Sequence, residues 1–295
     1  MNRPTVLRRS QMITPAVSVK LIEKGTAVDC DSLILDLEDA IAPAKKADAR
    51  AAMRTALQEL DFGDKEVGVR INGLASPWFL DDLLALEGLP IGTVVLPKVQ
   101  SVAEVYAYDA MFRQLELRGG KPGISFQILI ESARGLENVA AIAAASPRCE
   151  TLIFGAGDFI ADTGVAASRR GLAYARARIA AAAAGACLQA LDHVHPGISD
   201  MQALTSEAAE AREIGYSGKW AIHPAQVPVI NAAFNPSDPD IKRARRVIKV
   251  YEQALANGTG AVAFGGEMID EATLKIARRC QAAALRTGRW DEASA

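Results

Sequence analysis

The stretch ISFQILIESARGLENVAAIAAASPRCETLIFGAGD, residues Ile124–Asp158, decides the fold class of this chain. It contains two runs rich in aliphatic and β-branched residues, Ile124–Ser132 and Thr151–Asp158, on either side of a helical pattern. Continuous apolar runs are typical of strands buried on both faces, and parallel neighbours need a connection of about a dozen residues, usually a helix. The stretch therefore predicts a strand–helix–strand unit of a parallel sheet.

The same unit recurs along the chain. Further strand-like runs are found at Ser32–Asp39, Val67–Ile71 and Thr93–Lys98, weaker ones at Cys187–Asp192 and Lys219–His223, and a first strand is expected near Val6–Ile13. About eight strands is the number at which a strand–helix repeat closes into a barrel with a side-chain-filled interior. An open doubly wound sheet is the rival, but it usually carries a GxGxxG turn after its first strand, and none is present. We therefore predict an α/β protein with a (β/α)8 TIM barrel.

Composition excludes several protein classes. The 295 residues carry a net charge of -2, and 50% of them are hydrophobic, which fits a compact globule rather than a disordered chain, a membrane span or a strongly charged nucleic-acid binder. The four cysteines lie far apart without a CxxC pair, which argues against a disulfide framework and favours a reducing cytoplasm. The N-terminus lacks the apolar stretch of a signal peptide. We expect a cytoplasmic protein with no nucleic-acid or membrane partner.

The C-terminal part of the chain is predicted to lie outside the barrel. The Ala-rich segment Ala173–Ala190 predicts one helix, and the turn and N-cap residues of NPSDPD then lead into a helix over Ile241–Ala256. We expect the barrel to span residues 1–235. Residues 236–295 continue with a Gly-rich arm and a helix that starts near Asp270. Because such an arm has no core of its own, we expect a C-terminal helical lid arm that packs on a neighbouring subunit.

Polar side chains follow nearly every predicted strand, which is where parallel barrels carry their catalytic groups. In chain order they are Asp36, Glu38, Asp39, Arg70, Asn72, Lys98, Glu131, Asp158, Asp192 and His223. The fifth and sixth strands are neighbours, so Glu131 and Asp158 are expected to converge, and two such carboxylates repel unless a proton or a cation lies between them. A Mg²⁺ ion fits two carboxylates without Cys or His ligands. A buried acid pair that shares one proton for acid–base work is the alternative.

The remaining strand-end residues suggest how such a site is completed. Asp36, Glu38 and Asp39 add negative charge and are expected to order the water molecules of a bound metal. Arg70 suits a bidentate grip on the carboxylate of a small oxyacid, or alternatively neutralises the acidic cluster. Lys98 is a candidate for the same electrostatic work.

Eight motifs are similar to those of the citrate lyase β-subunit-like and malyl-CoA lyase family, which are Mg²⁺-dependent acyl-CoA lyases of the HpcH/HpaI aldolase superfamily. They are RSQMITP at Arg9–Pro15, LILDLEDAIAP at Leu33–Pro43, VRINGLASPW at Val69–Trp78, LPKV at Leu96–Val99, ILIESARG at Ile128–Gly135, FGAGDF at Phe154–Phe159, GKWAIHPAQV at Gly218–Val227 and GGEMID at Gly265–Asp270. They cover nearly the whole chain in the family's order. The chain is therefore identified as a member of this family.

The resemblance implies a (β/α)8 barrel in which Glu131 and Asp158 bind Mg²⁺. It also implies that Arg70 holds the carboxylate of a 2-oxo acid such as glyoxylate, pyruvate or oxaloacetate.

Further substrate contacts are implied at Arg9 in RSQMITP, at Lys24, which matches a family position that contacts the CoA moiety, and at Gly157 in FGAGDF. Gly157 stands where the citrate lyase β subunits usually carry Glu, and it is closer to the malyl-CoA lyases. The long insertion that malyl-CoA lyases carry after the metal-binding Asp is missing, as in the citrate lyase-like and citramalyl-CoA lyase branch. The acyl chain and the oxo acid therefore stay undecided.

The implied reaction is the reversible Claisen cleavage of a 3-hydroxyacyl-CoA with a distal carboxylate, namely malyl-CoA, methylmalyl-CoA or citramalyl-CoA, to an acyl-CoA and a 2-oxo acid. Asp270, the acid of the MID motif, is implied to exchange the proton of the thioester enolate from an arm that covers the active site of an adjacent subunit in a trimer or hexamer. Three alternatives stay open: a malyl-CoA thioesterase, a citrate lyase β subunit that acts on a carrier-protein thioester, and a CoA-independent 2-oxo-acid aldolase.

Overall fold

A computed structural model describes residues 6–119 and 123–291 of the chain. The strands are β1 Ser10–Pro15, β2 Ser32–Asp36, β3 Glu66–Arg70, β4 Thr93–Leu96, β5 Ser125–Ile130, β6 Cys149–Phe154, β7 Gln189–Asp192, β8 Gly218–Ala221, β9 Val262–Phe264 and β10 Glu267–Ile269. The α-helices are α1 Val19–Thr26, α2 Lys46–Glu59, α3 Phe79–Ala85, α4 Val102–Leu117, α5 Ala133–Glu137, α6 Val139–Ala143, α7 Ala156–Thr163, α8 Arg169–Gly185, α9 Met201–Ile214, α10 Val227–Phe234, α11 Asp238–Ala256 and α12 Glu271–Arg286. Short 3₁₀ helices lie at Pro43–Lys45 and Pro224–Gln226.

Strands β1 to β8 form a closed barrel in which each strand pairs in parallel with the next and β8 pairs with β1. The predicted (β/α)8 barrel is therefore confirmed. Most predicted strand ends shift by a few residues, and two of the shifts have a clear local reason. The run predicted over Ser32–Asp39 ends at Asp36, because the Asp36 carboxylate accepts hydrogen bonds from the backbone N–H groups of Glu38 and Ala40 and turns the chain. Cys187 has a φ of 57°, so the seventh strand begins later, at Gln189.

Alternate residues of the strands point into the barrel and explain why both faces of each strand are apolar. One interior layer consists of Ile13, Ile34, Val95, Leu129, Ile153, Leu191 and Trp220. Strand β3 contributes only Gly68 there, because a Cβ at this position would lie 2.6 Å from Cγ2 of Thr93 and 2.8 Å from Cδ1 of Ile34. The outward-facing strand residues pack against the surrounding helices in the main core, as strands covered on both faces require.

The amino-terminal end of the barrel is closed by a buried arginine. The Arg8 guanidinium donates to both carboxylate oxygens of Glu66 at 2.6 and 2.7 Å, to Thr151 Oγ1 at 3.0 Å and to Gln189 Oε1 at 2.8 Å. Its side chain is 2% exposed. These partners begin or lie in strands β3, β6 and β7, so the ion pairs connect the strands at the end opposite to the carboxyl termini.

Residues after Phe234 form a second compact unit. Helix α11 begins with a capping box in which Ser237 and Asp240 exchange side-chain and backbone hydrogen bonds. The Gly-rich segment folds into the hairpin β9–β10, whose two-residue turn is Gly265–Gly266, both with positive φ. Residues of α11, the hairpin and α12 bury one another in a small apolar cluster, so the Gly-rich arm packs on α11 of its own chain.

Within the described residues, no helix combines the length and the apolar character needed to cross a membrane.

Candidate active site

A cavity of about 500 Å³ opens at the carboxyl ends of the barrel strands. Its lining includes six of the residues singled out by the sequence: Asp36, Asp39, Arg70, Glu131, Gly157 and Asp158. Glu38 and Lys98, also singled out, line a neighbouring cavity of about 840 Å³ that shares Asp39 with the first one. The strands therefore bring these side chains to one end of the barrel from positions far apart in the sequence.

Glu131 directly follows β5 and is buried. Its Oε1 accepts a hydrogen bond from the backbone N–H of Lys98 at 2.6 Å. The chain leaves room for it at Gly155, where a Cβ would lie only 2.5 Å from Glu131 Oε2. Burial, and then the negative charges of Glu38 and Asp158, raise the pKa of Glu131 to about 8. A second ionised carboxylate next to Glu131 is unfavourable unless positive charge compensates it.

Asp158 lies in the first turn of α7, which starts after β6, and its carboxyl is within hydrogen-bonding distance of Glu131. Both alternatives drawn from the sequence start from this contact. A shared proton removes one of the two negative charges, or a hard divalent cation replaces that proton and lets both carboxylates ionise. The donor set consists of two carboxylates open to a cavity with room for water and substrate oxygens, and it is the kind that Mg²⁺ takes in proteins. The residues present therefore fit this ion.

Arg70, the last residue of β3, is paired with a buried acid. Its Nε and Nη2 each donate to one oxygen of Asp36 at 2.7 Å, and its guanidinium lies 5.7 Å from the centre of the Trp220 ring. Burial lowers the pKa of Arg70, but Asp36 and Glu38 outweigh burial, so the pKa lies above its ordinary value and the group stays charged. Asp36 binds Nε and Nη2, and Glu38 lies 3.1 Å from Nη1, so Arg70 neutralises the acidic cluster, which is the alternative that the sequence left open for it.

Lys98 connects the acidic residues around the site. Its φ of 57° is rare for a residue with a side chain, and this backbone conformation accompanies the N–H contact to Glu131. The Nζ donates to Glu38 Oε1 at 2.7 Å and to Asp39 Oδ1 at 3.2 Å. The other oxygen of Glu38 lies 3.1 Å from Arg70 Nη1. Lys98 therefore neutralises the acidic cluster, one of the two roles considered for it.

Three of the residues singled out lie elsewhere. Arg9 precedes β1 at the amino-terminal end of the barrel, where its guanidinium and backbone N–H bind the carboxylate of Asp31 at 2.6 to 2.9 Å. The structure does not bring Arg9 to the cavity, because substrate-binding loops lie at the opposite end of the strands. Lys24 is exposed in the last turn of α1 and lines neither cavity.

Asp270 is the N-cap of α12 in the C-terminal unit. Its Oδ1 accepts hydrogen bonds from the backbone N–H and the hydroxyl of Thr273 at 2.9 and 2.8 Å. These hydrogen bonds hold the pKa of Asp270 below its ordinary value. Asp270 therefore caps α12, whereas a role in proton transfer requires an environment that raises this pKa.

A buried ionic network behind the cavity was not predicted. The Lys219 Nζ, which is fully buried, donates to Asp192 Oδ2 at 2.9 Å and to Glu207 Oε1 at 2.6 Å. His193 lines the cavity, and its ring lies within 3.3 Å of Glu207. Asp192, His193 and Glu207 have the spacing of metal ligands, but the Lys219 ammonium occupies the position of the cation. These residues come from β7, α9 and β8, so their separation along the chain offered no signal.

Comparison with known proteins agrees with this architecture. Residues 9–224 match the model of the family described as HpcH/HpaI aldolase/citrate lyase. An L-malyl-CoA/β-methylmalyl-CoA lyase of Cereibacter sphaeroides is 36% identical, with 93% of both chains aligned. A citrate lyase subunit beta of Leuconostoc mesenteroides subsp. cremoris and a (3S)-malyl-CoA thioesterase of Cereibacter sphaeroides are each 32% identical, with 92% and 94% of both chains aligned.

Solved structures give the same result. The CitE protein of Mycobacterium tuberculosis, in complex with magnesium, acetoacetate and coenzyme A, is 34% identical, has a TM-score of 0.78 and is matched over 95% of this chain and 99% of that chain. A citrate lyase of Burkholderia xenovorans LB400 is 26% identical, has a TM-score of 0.85 and is matched over 98% of this chain and 95% of that chain.

Proposed function

The chain belongs to the HpcH/HpaI aldolase/citrate lyase family, and from this premise we propose that it is a Mg²⁺-dependent lyase that cleaves malyl-CoA, methylmalyl-CoA or citramalyl-CoA reversibly to an acyl-CoA and a 2-oxo acid. The observation that carries the proposal is the pair Glu131 and Asp158 beside the charged Arg70 in one cavity. Two carboxylates suit a hard cation, and one guanidinium suits the carboxylate of an oxo acid. Relatives of about one-third identity are lyases with such substrates or bind magnesium and coenzyme A.

In the proposed mechanism, Glu131 and Asp158 hold Mg²⁺, which supplies Lewis-acid polarisation of the substrate oxygens. Arg70 is the proposed partner of the distal carboxylate, while Asp36 fixes the guanidinium plane through its two hydrogen bonds. The hydroxyl of the substrate gives its proton to solvent water, and the carbon–carbon bond breaks with its electron pair passing to the acyl-CoA fragment. The hydroxyl carbon then becomes the carbonyl of the oxo acid. The thioester enolate that leaves must then take up a proton.

Asp270 is the proposed donor of that proton, and its acceptor in the direction of condensation. As a helix cap, its carboxylate accepts hydrogen bonds that favour the ionised form. We propose that it becomes an effective acid when the C-terminal unit covers the cavity of a neighbouring subunit in a trimer or hexamer, because removal from water raises a carboxyl pKa. Lys24 and Gly157 stay proposed substrate contacts, Lys24 to the CoA part.

The decisive experiment incubates the purified chain with malyl-CoA, methylmalyl-CoA and citramalyl-CoA and measures the oxo acid and free CoA separately. The proposal expects oxo acid together with an intact shorter acyl-CoA, and loss of both after EDTA treatment. Free CoA without oxo acid would instead establish a thioesterase, a reaction supported by the 32% identical (3S)-malyl-CoA thioesterase. No turnover of any free CoA ester would refute the proposal and favour a carrier-protein thioester or an oxo acid without CoA.

Two variants test the assigned roles. Glu131→Gln keeps the size of the side chain and removes its charge, so Mg²⁺-dependent turnover should be abolished while the thermal midpoint stays close to that of the wild type or rises. Unchanged turnover would refute the metal site. Asp270→Asn preserves the helix cap, because Asn is as good an N-cap as Asp, and should slow kcat with little change in KM. A wild-type kcat would reduce Asp270 to its capping role.

A further inference from the structure

Lys46 is a buried lysine at a position where the local structure disfavours it. It is the first residue of α2 and is only 4% exposed. A positive charge at a helix N-terminus opposes the helix dipole, and burial removes the ammonium from water. The preceding Lys45 shows the ordinary alternative, since it is exposed and pairs with Asp48 at 2.9 Å. A residue that violates a local preference is a candidate for a role elsewhere in the fold.

The Lys46 ammonium connects the segments that follow β2 and β3. Its Nζ donates to the backbone carbonyls of Leu37 and Glu38, both at 2.7 Å, and to Asn72 Oδ1 at 2.8 Å. The Asn72 amide in turn donates to the Leu37 carbonyl at 2.9 Å. Three oxygen acceptors that carry no hydrogen require three N–H donors, which only the ammonium form of lysine provides. Lys46 therefore keeps its charge and uses all of its donors to hold two loops together.

Glu38 extends this contact to Arg70, which lines the cavity at the carboxyl ends of the strands. Lys46 holds the carbonyl of Glu38, while the Glu38 carboxylate lies 3.1 Å from Arg70 Nη1. Within the described residues, no hydrogen bond fixes the Oε2 atom that faces the guanidinium. A second route passes through Asp36, whose Oδ1 accepts from the Glu38 N–H at 2.9 Å and from Arg70 Nε at 2.7 Å. The position of the guanidinium therefore depends on the backbone at Glu38.

We propose that Lys46 is a positioning residue of the active site, which fixes the backbone at Glu38 and thereby the guanidinium of Arg70. Its effect on turnover rests on the proposed function, since Arg70 is the proposed partner of the distal carboxylate. Loss of the ammonium removes one hydrogen bond from each of two carbonyls and, among the described residues, leaves Asn72 Oδ1 without a donor. Because an unpaired buried acceptor is costly, the chain after β2 should change its path and move Arg70 with it.

The experiment records fluorine NMR spectra of the full chain labelled with 5-fluorotryptophan. The Trp78 ring lies 5.0 Å from Lys46 Nζ and reports on the substituted position itself. The Trp220 ring lies 5.7 Å from the Arg70 guanidinium and reports on its position without any substrate or metal. Lys46→Met, which has a side chain of similar length, should shift both resonances, whereas the control Lys45→Met should shift neither. An unshifted Trp220 resonance in Lys46→Met would overturn the proposal.

Chemical rescue separates the N–H donors of Lys46 from its packing. Lys46 lines the cavity of about 840 Å³, so propylammonium can enter the gap that Lys46→Ala leaves. Propylammonium carries three N–H donors and should return the Trp220 resonance to its wild-type position. Tetramethylammonium has the same charge but no donor and should not. A resonance that propylammonium leaves displaced would overturn the proposal. If Lys46→Met does not fold, Lys46→Ala prepared with propylammonium provides the test when the amine is removed.

A kinetic readout separates this proposal from the proposed function. If the chain cleaves CoA esters, Lys46→Met should lower kcat/KM by at least about tenfold, mainly through KM, because Arg70 binds a part of the substrate that does not react. Lys45→Met should keep the wild-type values. A displaced Trp220 resonance in a chain that cleaves no CoA ester supports the positioning role and refutes the proposed function. Cleavage of CoA esters by Lys46→Met with wild-type kcat/KM overturns the positioning role alone.

Discussion

Substitution of Gly155 by alanine tests whether the position of Glu131 matters for the site. Gly155 follows β6 and has φ -92° and ψ 78°, a conformation that alanine can adopt, so the effect of the substitution is steric. The new Cβ would lie 2.5 Å from Glu131 Oε2 and 2.6 Å from Glu131 Cβ. Both distances are shorter than real Cβ contacts, and the second involves an atom next to the backbone, so a rotation of the carboxylate alone does not relieve the clash.

The size of the effect follows from these distances. Ordinary contact begins at 3.4 Å, so Glu131 must move by about 0.9 Å. A misplacement of about 1 Å in an active site costs about 10²-fold in rate. An extra methyl group in a closely packed region destabilises by about 1–3 kcal/mol. We therefore expect kcat/KM to fall by about two orders of magnitude in a variant that still folds.

Two assays and one control check this prediction. Binding of Mn²⁺, followed by electron paramagnetic resonance as a probe of the metal site, should weaken together with turnover of malyl-CoA. Gly92→Ala is the control, because Gly92 lies at the amino-terminal end of β4 with no atom within 4 Å of an added Cβ. If Gly155→Ala keeps wild-type Mn²⁺ affinity and turnover, then either Glu131 is not a ligand or the loop after β6 adapts freely, and the reasoning is refuted.

Three further predictions concern charged groups. Lys219→Met should lower the free energy of unfolding by about 3 kcal/mol in a denaturation assay, because it leaves the carboxylates of Asp192 and Glu207 without their ammonium partner. Lys275→Met, at the exposed pair with Glu271, is the control and should have no measurable effect in the same assay. Burial raises the pKa values of Asp192 and Glu207, but Lys219 and other nearby cations outweigh burial and hold both pKa values below their ordinary values. These carboxylates therefore stabilise the fold above about pH 4 and lose this effect as the pH falls further. The difference in thermal midpoint between wild type and Glu207→Gln should shrink as the pH falls below about 4, and a constant difference would contradict this prediction. Arg70→Lys should raise KM at least tenfold, because an ammonium cannot replace both hydrogen bonds to Asp36 and still face the substrate. An unchanged KM would count against a role of Arg70 in substrate binding.

Much of the barrel could be predicted from local patterns. The runs at Ser32–Asp39 and Thr151–Asp158 are apolar on both faces. This pattern is explained by a sheet that is covered by helices on one face and by a filled barrel interior on the other. The exact ends depended on interactions that the pattern does not contain. Asp36 ends β2 because its carboxylate accepts hydrogen bonds from two backbone N–H groups. Cys187 delays the start of β7 through its positive φ.

The candidate site was predicted where it depends on strand order and missed where it depends on side-chain geometry. Neighbouring strands had to bring Glu131 and Asp158 together at the carboxyl end. Arg70 was expected at the same end, but its engagement with Asp36 is a matter of rotamers and distances. The placement of Arg9 at the opposite end follows from where β1 begins, one residue later in the chain.

The sequence by itself determined the class of fold, the end of the barrel that carries the chemistry and the family, because these follow from the period of the apolar residues and from short motifs that local chain geometry preserves. Only the tertiary structure decided which charges meet. The position of the Lys219 ammonium between two carboxylates is set by the packing of segments far apart in the chain. Coulombic interactions depend on distances of a few ångströms in a medium of low polarity, and separation along the chain does not specify those distances.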